Sequence, residues 1–283
     1  MVVDFTKMHG AGNDFIVIND RRQTIPWTDV PLMAAIASRR SGIGCEGIIL
    51  IQPPPDDGEA DFRMHFLNPD GHPADMCGNG ARCAALYAWR NGLAGRQQLI
   101  KTGQGEVQAE ILAADPPDGT VRITTQLPAP AVTREVEAAG ANWTCHSLDT
   151  GVPHAVIFVD DAAAVNVREV GRALREHSTF APAGTNVNFA QVEADGRLRL
   201  RTYERGVEDE TGACGTGALA TALAAEQVLQ LELPLTLLVT SGDTLVVGVE
   251  SDPDGGRVPT LTGPAREVYQ GSIDLAWFGA AQP

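Results

Sequence analysis

The chain has 283 residues, which at ~150 residues per domain suggests about two domains and allows a core that needs no disulfide or structural metal. Acidic residues (36) outnumber basic residues (21), and the formal charge of −15 argues against nucleic-acid binding and attachment to an anionic membrane, because both need a basic face. Five cysteines without a C-x-x-C pair, no targeting segment and no run of ~20 apolar residues argue against a secreted disulfide framework and a membrane span, so we expect a cytoplasmic protein.

Short runs rich in Val, Ile, Leu and Phe, bounded by turn residues, predict strands. In chain order these are residues 15–19, 48–51, 62–67, 106–112, 121–125, 155–159, 198–202, 235–239 and 244–249. Helical periodicity and stop signals predict helices over 31–40, 80–91, 167–177 and 215–230, and Pro-rich stretches predict loops at 52–58 and 113–119. Strands outnumber helices and are joined by short turns, which predicts an α/β or α+β fold with much antiparallel sheet.

A short pattern, C-G-x-G-A, begins at Cys77 and again at Cys214, about half the chain later. Each copy starts an Ala-rich predicted helix. Each also follows a predicted strand that ends in polar residues, Asn68 in the first half and Glu204 with Arg205 in the second. The matching position and context predict an internal duplication.

The duplication predicts two domains related by a pseudo-twofold axis. We expect the first over residues 1–127 and the second over 128–267, with the C-terminal segment 268–283 returning to the first. The second cysteine helix is rich in Ala and Leu, so we expect a buried central helix wrapped by mixed, mostly antiparallel sheets.

A cysteine in the first turn of a helix lies at the positive end of the helix dipole, which favours the thiolate and can lower a thiol pKa from ~8.5 to about 3.5–7.5. The glycines after Cys77 and Cys214 leave backbone N–H groups uncovered, which suits the binding of a carboxylate. Two such thiols on opposite sides of one carbon, one ionised and one protonated, would invert a stereocentre without a cofactor.

The sequence also allows other roles for the cysteines. Packing in the core is the expected role of Cys45, Cys145 and Cys83, the last because its spacing turns it away from the Cys77 face. A disulfide between Cys77 and Cys214 is a rival interpretation, although unusual in the cytoplasm. A non-enzymatic redox switch built on the same two thiols is the alternative from another functional class.

A cofactor or metal is not expected from the residue types available. Racemisation with pyridoxal phosphate needs a Schiff-base lysine, and the chain has only Lys7 and Lys101, with nothing near Lys7 that resembles a phosphate site. The histidines and cysteines lack the spacing of zinc ligands. We therefore predict no cofactor and no metal.

Several short segments, taken together with the cysteine motifs, match one known family. They are FTKMHGAGNDF at 5–15, GIGCEG at 42–47, FLNPDG at 66–71, MCGNGARC at 76–83, GVPH at 151–154, GTNVNF at 184–189, YERG at 203–206, ETGACGTG at 210–217 and GPA at 263–265. In these segments, along nearly the whole chain, the sequence resembles the diaminopimelate epimerases. Both cysteine motifs together with the N-terminal segment are far more specific than any one alone.

The resemblance implies a two-domain α/β fold with pseudo-twofold symmetry and an active site in the cleft between the domains. It implies PLP-independent interconversion of LL- and meso-2,6-diaminopimelate, a small-molecule substrate, in lysine and peptidoglycan precursor biosynthesis. It also implies a homodimer. Cys77 and Cys214 match the base and acid of the family.

The resemblance also assigns the residues that hold the substrate. The backbone cradle for the reacting carboxylate matches Gly78, Asn79, Gly215 and Thr216, and the substrate-contacting positions match Asn13, Asn68, Asn186, Glu204 and Arg205. His154 matches a residue near the reacting centre. The planar fork of an arginine suits a carboxylate and a glutamate suits an ammonium group. Taken alone, the two N-terminal asparagines would also suit turns, and the Glu–Arg pair would suit a solvated surface.

Two positions depart from the pattern of the family. Val152 stands where many members have an asparagine that contacts substrate, and Gly47 stands where some have glutamine, so we expect no side-chain contact at either. A proline or hydroxyproline racemase is the alternative on the same scaffold. That group has histidine where Asn79 stands, and its substrate has no second carboxylate for Arg205 to bind.

Overall fold

The computed structural model describes residues 1–55 and 58–278, in which the chain forms two compact units. Unit 1 comprises Met1–Ile123 and the segment that begins at Gly263, and unit 2 comprises Thr124–Thr262. The α-helices are α1 (Val30–Ala37) and α2 (Gly78–Arg90) in unit 1, and α3 (Val167–Arg175) and α4 (Gly215–Leu229) in unit 2. All four were predicted, with end points that differ by a few residues.

Unit 1 is a mixed sheet with both parallel and antiparallel neighbours. Its strands are β1 (Val2–Gly10), β2 (Asn13–Asn19), β3 (Gly47–Gln52), β4 (Phe62–Leu67), β5 (Pro73–Ala74), β6 (Gln97–Thr102), β7 (Gly105–Ala113) and β8 (Asp118–Thr124). The pairs β1–β2, β3–β4, β6–β7 and β7–β8 are antiparallel, whereas β2–β3 and β4–β6 are parallel.

Unit 2 repeats this topology. Its strands are β9 (Val132–Ala138), β10 (Ala141–Asp149), β11 (Pro153–Phe158), β12 (Asn186–Val192), β13 (Leu198–Glu204), β14 (Asp209–Thr211), β15 (Leu235–Leu238) and β16 (Thr244–Ser251), followed by β17 (Arg257–Asp274). The pairs β10–β11, β12–β13, β15–β16 and β16–β17 are antiparallel, whereas β11–β12 and β13–β15 are parallel. The same order of pairings in both units confirms the predicted duplication and the sheet-dominated α/β fold.

Each unit has an inner and an outer helix. The inner helix α2 packs against β1, β2, β3, β4, β6 and β7, and α4 packs in the same way against β10, β11, β12, β15 and β16. Ala and Gly supply 6 of the 13 residues of α2 and 7 of the 15 residues of α4, and these small residues let the sheet approach the helix closely. The central helix predicted at 215–230 is α4, and α2 has the equivalent position in unit 1.

The outer helices close the second layer of each core. In α1, Leu32, Met33 and Ile36 pack on apolar residues of the unit 1 strands, and in α3, Val167, Val170 and Leu174 do so in unit 2. Each such side chain stabilises its unit by about 1.5–3 kcal/mol when fully buried.

Several strands were not predicted. In β6 and β12 some buried positions are polar, which breaks the apolar pattern that predicts a strand. Strand β17 contains Gly263 and two prolines, which predict turns. The predicted loop at 113–119 is shorter, because β7 runs to Ala113 and β8 starts at Asp118. Residues 56 and 57 of the predicted loop 52–58, and residues 279–283 of the predicted returning segment, lie outside the described residues.

The long strand β17 belongs to both units. Its first residues pair with β16 in unit 2, and residues 266–274 pair with β1 in unit 1. No helix among the described residues is long and apolar enough to cross a membrane.

Candidate active site

Cys77 lies at the N-terminus of α2, where it is the N-cap residue with an extended backbone. The side chain is partly buried, and its Sγ lies 3.7 Å from Oδ1 of Asn13. An amide oxygen can only accept a hydrogen bond, so the sulfur donates as a thiol. Gly78 and Asn79 follow in the first turn, where backbone N–H groups lack partners within the helix.

The orientation of Asn13 is fixed by a run of hydrogen bonds that starts at Arg82. The Arg82 Nη2 donates to Oδ1 of Asn79 at 2.7 Å, and Nδ2 of Asn79 donates to Oδ1 of Asn13 at 3.4 Å. Nδ2 of Asn13 donates to the carboxylate of Glu46. Every amide in the run therefore has one permitted orientation, and it presents an oxygen to Cys77.

Arg82 was not predicted as a site residue. Its side chain is fully buried, and it also binds the carbonyl oxygens of Gly78 (3.5 Å) and Pro264 (3.4 Å). A buried guanidinium is costly unless its N–H groups are satisfied, and here carbonyl and amide oxygens satisfy them. The signal in the sequence is an arginine in an Ala-rich segment that is otherwise apolar.

Cys214 lies at the N-terminus of α4 in the equivalent position, but its sulfur accepts a hydrogen bond, whereas that of Cys77 donates one. The backbone N–H of Gly217 donates to Cys214 Sγ at 3.4 Å, and the hydroxyl of Thr216 lies 3.4 Å from the same sulfur. A sulfur that accepts hydrogen bonds at the positive end of a helix is stabilised as a thiolate. Gly215 and Thr216 supply the first turn.

His154 stands behind Thr216. Its Nε2 lies 3.0 Å from the Thr216 Oγ1, and its Nδ1 lies 2.9 Å from Nδ2 of Asn188. The side chain is 1% exposed, and this burial, together with the charge of Arg205, lowers the pKa of His154 to about 3. The imidazole is therefore neutral at physiological pH and serves as a hydrogen-bonding group.

The strand register explains why these residues meet. His154 pairs with Asn186 across β11 and β12, and Asn188 lies two residues further on the same face of β12. Asn188 in turn pairs with Thr202 of β13, whose hydroxyl donates to Oδ1 of Asn188 at 3.0 Å. Asn188 and Thr202 were not predicted, although the N-x-N spacing in a strand is a signal for a shared face.

The other predicted residues occupy the ends of strands. In unit 2, Oδ1 of Asn186 accepts from the backbone N–H of Arg205 at 2.8 Å, which joins Arg205 to the His154 group. The Arg205 guanidinium donates to the carbonyl of Ala183, and Glu204 accepts from Thr211. In unit 1, Asn68 follows β4, and its backbone closes the turn with the carbonyl of His72.

The remaining cysteines are buried. Burial raises the pKa of Cys45 and of Cys145 to about 11, and that of Cys83 to about 12. Thiols of this kind are protonated at neutral pH and suit packing. Within the described residues, which include all five cysteines, there is no disulfide and no cluster of His, Cys, Asp or Glu that could hold a metal.

The family model described as diaminopimelate epimerase matches residues 5–126 and 146–268, which include both cysteine sites. The chain belongs to the diaminopimelate epimerase family.

Relatives of this family match nearly the full length of the chain. A diaminopimelate epimerase from Chlorobaculum tepidum is 41% identical over 271 residues, which cover 95% of this chain and 100% of the relative. One from Aquifex aeolicus is 36% identical over 281 residues, with 96% of this chain and 98% of the relative covered. These enzymes are isomerases, and this chain is a member of their class.

Solved structures share the fold at lower sequence identity. A PhzF-family phenazine biosynthesis protein from Bacillus anthracis has a TM-score of 0.73 at 13% identity, with 97% of this chain and 99% of that chain covered. A hydroxyproline epimerase from Agrobacterium vitis has a TM-score of 0.70 at 17% identity, with 96% and 92% covered. They establish the architecture of this diaminopimelate epimerase family member.

The structure shows the surroundings of Gly47 and Val152, the two positions that depart from the family pattern. A Cβ atom at Gly47 would collide with the ring of Phe66, so Phe66 occupies the space that a larger side chain would need. Val152 lies in the turn before β11, where its carbonyl accepts from the N–H of Thr150 at 3.2 Å. Neither position offers a polar side chain to a substrate.

Proposed function

We propose that this chain interconverts LL- and meso-2,6-diaminopimelate, a step of lysine and peptidoglycan precursor biosynthesis, without a cofactor. Cys77 and Cys214 are the acid and base in this proposal. The observation that carries it is the presence of two thiols at equivalent helix N-termini, one donating to an amide oxygen and the other accepting from a backbone N–H.

The reaction needs one proton acceptor and one proton donor. The Cys214 thiolate removes the α-proton from one face of the substrate carbon, the electron pair passes into the adjacent carboxylate, and the Cys77 thiol returns a proton to the opposite face. The sulfur that began as a thiolate ends as a thiol, and the reverse holds for the other. The reverse reaction uses the same groups in exchanged roles.

The negative charge that develops on the reacting carboxylate needs hydrogen-bond donors. The first turns of α2 and α4 supply backbone N–H groups from Gly78, Asn79, Gly215 and Thr216, at the positive ends of helices of 13 and 15 residues. Helix N-termini bind anions readily, and preorganised donors stabilise an enolate-like transition state without reorganisation.

The distal end of the substrate carries an ammonium group and a second carboxylate. We assign its binding to Asn68, Asn186, Glu204 and Arg205, with Asn13 nearer the reacting centre. The support for this assignment is the hydrogen bond that ties Asn186 to Arg205 and the charges of the Glu–Arg pair. A site built to bind polar groups rejects analogues that lack them, which favours diaminopimelate over proline.

The proposal is tested by exchange of the α-proton with solvent. LL-diaminopimelate incubated with the purified chain in heavy water, with no added cofactor, should incorporate deuterium at one α-carbon and form the meso isomer. L- and D-proline, assayed in parallel, should not exchange. Exchange into proline but not into diaminopimelate would reassign the substrate, and exchange into neither would remove the proposed reaction.

We also propose that the enzyme is a cytoplasmic homodimer. The family resemblance supports the dimer, and the reduced cysteines and absence of a disulfide among the described residues are consistent with a reducing compartment. Light scattering of the purified chain should give about twice the mass of 29.9 kDa, and a monomer mass would contradict the dimer.

A further inference from the structure

The hydrogen bonds around Asn188 have one consistent direction. Its side chain faces the carbonyl oxygen of Ala155 at 3.4 Å, and because a carbonyl only accepts, the group that faces it is the Nδ2 amide. The other end, Oδ1, accepts from the hydroxyl of Thr202. The same Nδ2 lies 2.9 Å from Nδ1 of His154, so this ring nitrogen accepts and carries no proton.

The imidazole of His154 in turn fixes the direction of the hydrogen bonds that lead to the sulfur of Cys214. A neutral imidazole has one N–H, which must be at Nε2, and it donates to Thr216 Oγ1 at 3.0 Å. The Nδ2 amide of Asn186 also faces Nε2, at 3.5 Å. A neutral imidazole accepts at only one nitrogen, and the much shorter contact of 2.9 Å from Asn188 places the acceptor at Nδ1. The hydroxyl of Thr216 accepts from His154 and keeps its own proton to donate. Its Oγ1 lies 3.4 Å from Cys214 Sγ, which already accepts from the backbone N–H of Gly217, and we take the hydroxyl as the donor of this contact.

The corresponding run in unit 1 has the opposite effect. Arg82 fixes Asn79, Asn79 fixes Asn13, and Oδ1 of Asn13 accepts from the Cys77 sulfur at 3.7 Å. A donor aimed at a sulfur favours the thiolate, whereas an acceptor aimed at it favours the thiol.

We propose that Arg82 and Asn188 are positioning residues that set the proton state of the free enzyme, with Cys77 held as the thiol and Cys214 as the thiolate. The proposal rests on the proposed function only in taking these two sulfurs as the reacting groups. It adds that the substrate isomer whose α-hydrogen faces Cys214 reacts with the free enzyme directly. The other isomer needs the proton moved first.

The strand register shows that the unit 2 run has no equivalent in unit 1. His154 pairs with Asn186 in unit 2, and the equivalent pair in unit 1 is Phe15 with Gly47. Asn188 pairs with Thr202 in unit 2, and the equivalent pair in unit 1 is Ile49 with Phe66. The apolar residues of unit 1 cannot orient a proton. Among the groups that surround His154, the charged one is Arg205, and the titratable one beyond Thr216 is Cys214.

The first test observes the proton states directly in the full-length chain. Cysteine labelled with ¹³C at Cβ reports thiol and thiolate by chemical shift, and ¹⁵N-labelled histidine reports the tautomer. At neutral pH and without substrate, Cys214 should show the thiolate shift, Cys77 the thiol shift and His154 an unprotonated Nδ1. A Cys77 thiolate, two thiols, or a proton on Nδ1 would overturn the proposal.

The second test uses Asn188→Asp to reverse the donor and acceptor roles in the hydrogen bonds that lead from residue 188 through His154 and Thr216 to Cys214. A carboxylate accepts from Nδ1–H, which leaves Nε2 to accept from Thr216 and turns the hydroxyl proton away from Cys214. The midpoint of the Cys214 titration should rise by about one to two pH units, because the thiolate loses a hydrogen bond that stabilises its charge. Asn142→Asp, the same change at an exposed residue of β10, should leave it unchanged.

A third pair of variants separates the run from the added charge. Thr216→Val removes the hydroxyl and should raise the Cys214 midpoint to a similar extent, while Thr216→Ser should restore it. In the Thr216→Val chain, Asn188→Asp should change the Cys214 midpoint little further. If the new carboxylate acted directly through its charge, the midpoint would still rise, and this result would overturn the proposed hydrogen-bond path from Asn188 to Cys214. The Thr216 variants keep the test decisive if Asn188→Asp does not fold. None of these readouts uses turnover, so failure here is distinct from failure of the proposed reaction.

Discussion

The two halves of the molecule place a cysteine at the same point of the same topology but surround it differently. Beneath α2 the strand residues Phe15, Ile49 and Phe66 form an apolar group, and the Phe rings meet edge to face with centroids 6.1 Å apart. Beneath α4 the equivalent positions are His154, Asn188 and Thr202, which form a polar group. The fold of a duplicated unit is thus preserved by backbone pairing, while its interior chemistry is free to diverge.

The glycine in the third position of each helix shows the same contrast. A Cβ at Gly80 would meet the Ile49 side chain at 3.2 Å, and a Cβ at Gly217 would collide with Oδ1 of Asn188. In both units the strand side chain reaches the helix backbone, but only at Gly217 is the space too small for a Cβ atom unless the neighbouring atoms shift. The two helices accommodate unlike partners by the same means.

The largest expected effect comes from removing either thiol. Cys77→Ala and Cys214→Ala should each reduce the epimerisation rate about a thousandfold or more, since general acid–base groups contribute about 10²–10⁴ to a rate. Rates of approach to equilibrium from each isomer measure this. Cys145→Ala, which removes a buried thiol outside the sites, should retain turnover, and wild-type activity in either site variant would remove the two-thiol assignment.

The apolar group of unit 1 should not tolerate the polar residue of unit 2. Ile49→Asn loses apolar packing and buries an amide without the partners that Asn188 has, which should lower the free energy of unfolding by about 4 kcal/mol. Urea unfolding measures this. Ile49→Val should cost only about 1 kcal/mol. Equal stability of the two variants would mean that the interior of unit 1 accepts polar groups.

The polar group of unit 2 should make stability depend on pH. The native pKa of His154, about 3, lies below the ordinary value of 6.5, so between these values the unfolded chain binds a proton that the native chain does not. Stability is therefore lost as the pH falls. From pH 7 to pH 5 the loss from this group should be about 2 kcal/mol.

This contribution is measured by urea unfolding of the wild type and of His154→Gln at both pH values. The variant should lose less stability over the interval, because glutamine does not titrate, while the contributions of Asp14 and other groups are common to both chains. Parallel losses would show that His154 titrates normally in the native state.

The smallest effect concerns the fork of Arg82. Lysine keeps the charge but cannot reproduce the contacts to Asn79, Gly78 and Pro264 together, so Arg82→Lys should lower kcat/KM about tenfold through a less ordered Asn13. Arg257→Lys, at an exposed pair with Glu226, should be neutral because surface ion pairs contribute about 0–1 kcal/mol. Equal kinetics for both variants would leave Arg82 with a charge role alone.

Helices and strands could be predicted from the sequence where the pattern that specifies them lies within a few neighbouring residues. The inner helices are Ala-rich and begin at a repeated motif, so both were predicted. Helix α1 was predicted to end at residue 40, whereas it ends at Ala37, and its start is fixed locally because Asp29 accepts from the N–H of Leu32. Strand β17 was missed because Pro and Gly within it are local turn signals, which pairing along its length overrides.

The same limit applied to the site. The cysteines and the residues of their first turns lie in one short motif each, and they were predicted together. Asn188 and Thr202 act through partners on neighbouring strands, so only the register of the pairings brings them to the site. Arg82 contacts Asn79 one turn away in the same helix, and it was missed because its direction toward Asn79 needed the folded helix. Asn186 was assigned and its neighbour Asn188 was not, because the side-chain direction along β12 needed a known strand.

The course of strand β17 bears on biosynthesis. Unit 2 is one continuous stretch of chain, whereas unit 1 needs residues 266–274 to pair with β1, and its first and last parts are joined by the bond from the N–H of Leu275 to the carbonyl of Met1. On the ribosome, residues 1–123 are therefore made before the segment 266–274 that completes their sheet, and unit 2 is made between them. Until that segment has been made, one edge of β1 lacks its partner strand.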